Sequence, residues 1–134
     1  MAKFNLKDTL ILPVKYQNTK LYLTANVVPD NTVISIAGHS VINCLQIEIA
    51  DVTFSDHPLD YANKLYGATL SVEVNVSKIK TGESDDDGSK IPVSCSLIVD
   101  AGNDLLQEYQ LDDKKTPTAN SRFFFTIALK AEQA

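Results

Sequence analysis

The sequence predicts an all-β domain, mainly an antiparallel sandwich or barrel of about eight strands, with one short α-helix near 57–66. Three observations predict it. Apolar residues recur with period two through most of the chain, the mark of strands with one buried face. Turn-forming residues punctuate these runs at Asn18-Thr19, Pro29-Asp30-Asn31, Gly102-Asn103 and Thr116-Pro117. Finally, 134 residues suit one domain with its own core, so 1–134 is read as a single β-domain.

The elements follow in order. An irregular strand is expected near 9–16, and then a clear one in which Leu21, Leu23, Ala25 and Val27 share a face. Residues 32–37 and 41–54 read as less regular strands separated by a turn at Gly38-His39. In the second, Leu45, Ile47 and Ile49 share one parity and Cys44 lies out of phase with them. The period then breaks in SDHPLDYANKLYG. Ser55 or Asp56 can cap a helix, Pro58 suits its first turn and Gly67 its end. Leu59, Ala62 and Leu65 or Tyr66 would form its apolar stripe. Strict alternation returns with Leu70, Val72, Val74 and Val76, and again with Ile91, Val93, Cys95, Leu97 and Val99. A strand near 104–111 precedes the last one, where Phe123, Phe125, Ile127 and Leu129 face one way.

Composition narrows the function. Net charge is −5 and the single arginine is Arg122, which argues against nucleic acid, whose binders exchange phosphate counterions for Lys and Arg. No apolar run is long enough to span a bilayer. The N-terminus carries no continuous apolar leader, so a cytoplasmic setting is expected, with a virion or secreted assembly as the alternative. Two cysteines, Cys44 and Cys95, make no disulfide framework and read as free thiols, with Cys95 in the core.

The segment KTGESDDDGSK is the nearest approach to a chemical motif. With Gly88 set at the glycine of an EF-hand loop, Glu83, Asp85 and Asp87 fall at its first three ligand positions. The match then fails, because Ser94 stands where the bidentate Glu belongs and the flanks read as strands. Residues 82–89 are therefore expected to be the exposed tip of a hairpin, at most a weak cation loop. His39 and His57 read as surface histidines. No nucleophile elbow, zinc motif or glycine-rich cofactor loop is present, so neither a cofactor nor an enzyme activity is expected. Asn75-Val76-Ser77 matches a glycosylation sequon but lies in mid-strand.

What remains is a structural protein that assembles with copies of itself or with a protein partner. Strands apolar on both faces need cover on both. Tyr22, Val28, Ile98, Leu106 and Phe124 are the outward apolar positions that suggest it. Charge is also uneven: residues 81–113 hold nine acids against one Lys, while residues 1–40 hold four Lys against two Asp. A head-to-tail contact between unlike patches, closing into a ring or running on as a tube, would use that asymmetry. Phage tail tubes and secretion tubes are built from small β-domains with one helix, an analogy of architecture alone. The alternative is a β-barrel module that binds a small ligand or a protein.

Overall fold

Alternation of the kind seen at 70–76 and 93–99 requires that each strand bury one face, and two stacked sheets supply the cover. The computed structural model describes residues 2–30, 34–80 and 91–133. Among the described residues there are nine strands: β1 (Ala2–Leu12), β2 (Lys20–Pro29), β3 (Ile34–Asn43), β4 (Ile47–Asp51), β5 (Phe54–Tyr61), β6 (Thr69–Lys80), β7 (Val93–Ala101), β8 (Asp104–Asp112) and β9 (Asn120–Ala131). Sheet A runs β1-β9-β6-β3-β4 and sheet B runs β5-β2-β7-β8. These are separate sheets packed face to face, so of the two architectures expected the sandwich is the one formed. All pairs are antiparallel except β1 with β9.

The inward rows are those the alternation marks. Leu70, Val72, Val74 and Val76 on β6 meet Phe123, Phe125 and Ile127 on β9 in sheet A, and Leu21, Leu23, Val93, Leu97 and Val99 answer from sheet B. All are buried. Cys95 is buried among them, and burial pushes its thiol up to about 12. Both cysteines are free.

Three expectations change in detail. The short helix is α1 (Ala62–Leu65), in the second half of the expected span, with Ala62 and Leu65 buried. The first half of that span belongs to β5, because pairing with β2 outweighs the local capping signals. The register of that pairing shifts twice, and Asp56 takes φ 51°, a left-handed conformation that Asp tolerates better than most residues. Secondly, Gly38 and His39 lie inside β3 and not in a turn. Gly38 has φ 136°, and a Cβ there would stand 1.9 Å from the Asn75 carbonyl oxygen of β6. The glycine thus permits a close backbone approach in mid-sheet. Thirdly, β6 and β7 belong to different sheets and do not pair, so they are not the two arms of a hairpin; the tip expected at 82–89 lies outside the described residues. Glu83, Asp85 and Asp87 lie outside the described residues.

One pole of the sandwich is tied by a buried ion pair. Asp113, just past β8, accepts hydrogen bonds from the Val93 N–H and the Ser121 hydroxyl, each at 2.8 Å. The Lys78 ammonium lies 2.7 Å from its Oδ2, and neither side chain reaches solvent. That approach is an ion pair whose angle is not that of a well-aimed hydrogen bond. One carboxylate therefore links β6 and β9 of sheet A to β7 and β8 of sheet B.

Candidate interaction surface

Two regions stand out: the outer face of sheet A toward β4, and the open side of the sandwich between β4 and β5. Among the described residues β4 has one strand neighbour, β3. Glu48 and Ala50 pair with Ile42 and Ser40, both buried, and so face inward. Ile47 and Ile49 then point out of the sheet, 68% and 75% exposed. Leu45, in the preceding turn, is exposed as well. The parity of 45, 47 and 49 is real, but it marks the outer face, because the inward positions of this edge strand are given to a charged residue.

The outer surface continues from Ile49 to Val41 on β3, Glu73 on β6 and Phe124 on β9, which are paired in register across the sheet. Phe124 is half-buried there, on the face away from Phe123 and Phe125, as the alternation requires. A shallow groove of about 220 Å3 beside it is floored by Asn43, Ser71 and Thr126. Tyr22 and Ile98 are half-buried on the outer face of sheet B, the opposite side of the molecule. Tyr22 lies between Pro58 and Asp100, and Ile98 between Thr24 and Glu108. Leu106 departs from its expected outward position and packs against the core. The register of β8 slips at Val99/Asp100, which makes Leu106 the extra residue of a bulge and turns Leu105 outward, opposite Asp100. Val28 is exposed on the same outer face of sheet B as Tyr22 and Ile98, so the five expected positions fall on two opposite faces and the core.

On the open side, a cleft of about 300 Å3 is lined by Ile42, Cys44, Glu48, Leu59, Asp60 and Leu65. Glu48 Oε2 lies 2.5 Å from His57 Nε2, a contact from one sheet to the other across the mouth. Gln46 Nε2 donates to Glu48 Oε1 at 2.7 Å. These partners hold the Glu48 carboxyl below its ordinary value, Gln46 first and His57 after it, against an opposing effect of burial. The Phe54 ring packs at an angle to the imidazole. His57 is therefore a bridging residue and not a loose surface histidine. Its pairing with Glu48 could not be found by spacing, because it depends on which strands become the two sheet edges. Burial, and then Asp60, raise the Cys44 thiol, which weakens it as a nucleophile.

Among the described residues, no three His, Cys, Asp or Glu side chains gather where a metal ion could be held. No helix among them is long and apolar enough to cross a membrane. No family model, curated protein or solved structure matches this chain, so a functional reading stands on these surfaces alone.

Proposed function

We propose that this protein is a non-enzymatic structural subunit that works by associating with copies of itself. The observation that carries the reading is the pair Ile47 and Ile49, the two most exposed large apolar side chains among those described, adjoining Val41 on one sheet face, with Phe124 beyond Glu73 on the same face. Scattered apolar side chains on a surface need no partner, but a contiguous group beside an edge strand marks a contact surface. Two free thiols suit a reducing, cytoplasmic setting for the assembly. Light scattering from low to several hundred micromolar tests the reading. The mass should rise with concentration, and Ile47→Lys/Ile49→Lys should hold it at the 14.7 kDa of one chain. A wild-type particle of one chain at every concentration overturns it.

The cleft between β4 and β5 favours a second reading, a small-ligand module. At about 300 Å3 it sits at the lower bound of ligand pockets, and its lining mixes leucines with carboxylates. A small aliphatic amine is the chemistry it would suit. Saturable binding of such amines, lost in Glu48→Gln/Asp60→Asn, would favour this reading over self-association.

A further inference from the structure

We infer that the association is head to tail, with the outer face of sheet A on one copy stacked against the outer face of sheet B on the next. This rests on the self-association reading above and names the two surfaces that meet. The observation is a difference in charge between the faces. On sheet A, Lys3, Lys7, Arg122 and Lys130 take outward positions, since their β1 and β9 neighbours of opposite parity are inward. Glu73 and Asp51 are the outward acids there. On sheet B, Asp100, Glu108 and Asp112 share the outward parity of Ile98, and Asp56 lies beside Asp100. Lys20 is the outward base on that face, at the far end of β2.

The apolar residues fit the same scheme. Ile47, Ile49 and Phe124 rise from sheet A, and Tyr22, Ile98 and Leu105 from sheet B. Each face thus pairs an apolar area with one dominant charge, and the two charges are opposite. Two copies of sheet A would set Lys against Lys, and two of sheet B would set Asp against Glu, so a symmetric contact is disfavoured. Burial, and then Asp56, raise the Asp100 carboxyl above its ordinary value. A cation delivered by a second copy would relieve that crowding.

Size sets the strength. Four strands about 4.8 Å apart and about eight residues long give a footprint near 19 by 27 Å, about 500 Å2 a side. Twice that is about 1,000 Å2, the lower bound for a specific contact, so association should be reversible and sensitive to salt. A contact between unlike faces leaves one of each free and propagates into a ring or column.

Two exposed-site variants decide it: Lys3→Glu/Lys7→Glu on sheet A and Glu108→Lys/Asp112→Lys on sheet B. Each alone should associate at least about tenfold more weakly than wild type, because its two faces now carry like charge. An equimolar mixture should recover association in sedimentation velocity, since an unaltered face of one meets an unaltered face of the other. If either variant alone associates as wild type does, or the mixture stays as separate chains, the head-to-tail contact is wrong while self-association stands. A wild type that never associates removes both. Far-ultraviolet circular dichroism of each variant confirms that the fold is retained.

Discussion

Replacing Asp113 with Asn should destabilise this protein more than an average core truncation. The substitution keeps the size and preserves an acceptor for the Val93 N–H. It removes the only charge opposite Lys78 among the described residues, at a site where both side chains are fully buried. It also turns an amide NH2 toward the ammonium and the Ser121 hydroxyl, which now both face a donor. Removing one partner from a buried ion pair costs about 3–5 kcal/mol, because the remaining charge stays out of water. For 134 residues the unfolding entropy is about 0.28 kcal/mol/K, so Tm should fall by about 11–18 °C. Calorimetry together with urea unfolding followed by circular dichroism measures both quantities. The double variant Lys78→Met/Asp113→Asn, with neither charge of the pair left, should regain at least about 2 kcal/mol. A single variant within about 1 kcal/mol of wild type, or a double variant no better than the single, would refute the argument that the unpaired charge sets the loss.

Two further outcomes follow from the geometry. Gly38→Ala places a methyl 1.9 Å from the Asn75 carbonyl at a φ that L-residues avoid, so β3 must shift against β6. A loss of about 2–4 kcal/mol is expected in urea unfolding, and a change under about 0.5 kcal/mol would show that the close approach relaxes freely. The Glu48 contacts should appear as acid sensitivity. Its folded pKa is lowered from 4.5, so the carboxylate stabilises the fold above the unfolded value, and the contribution fades as pH falls below about 4.5. Glu48→Gln should flatten the stability profile below that pH and lower stability at pH 7, and parallel wild-type and variant profiles between pH 3 and 7 would contradict it.

The sequence conveyed the core better than it conveyed the surface. Where both neighbours of a strand are strands of the same sheet, as for β6, β7 and β9, one side of the alternation is fully buried and period two reads directly. The edges carried weaker signals. At β5, Ser55, Asp56 and Pro58 resemble a helix start, and only the pairing of Tyr22 with Pro58 and Leu23 with His57 makes them a strand. At β4 the shared parity of Leu45, Ile47 and Ile49 does not say which face is buried, because no local feature tells that Glu48 will find His57 across the gap. At β8 one bulge exchanges the roles of Leu105 and Leu106. The Lys78–Asp113 pair was equally hidden, since a lysine in mid-strand and an aspartate after one usually face water. The interface candidates were found singly, as outward apolar residues, but their division between two oppositely charged faces needed the register of every strand.

The parallel pairing of β1 with β9 has a consequence for how the chain reaches this state. β9 lies between β1 and β6, so the first strand made has no neighbour in sheet A until the last one is present. Until then Phe4, Leu6, Leu10 and Leu12 have no Phe123, Phe125 or Leu129 to lie beside. Closing so long a loop late places this protein among slow folders, on the millisecond-to-second scale of non-local β-topologies. Sheet B and the β3–β4 hairpin can form first from nearer segments, with an apolar N-terminal strand left waiting. A chain stalled before β9 would expose both β1 and the flank of β6, the kind of unpaired edge through which nascent β-proteins aggregate.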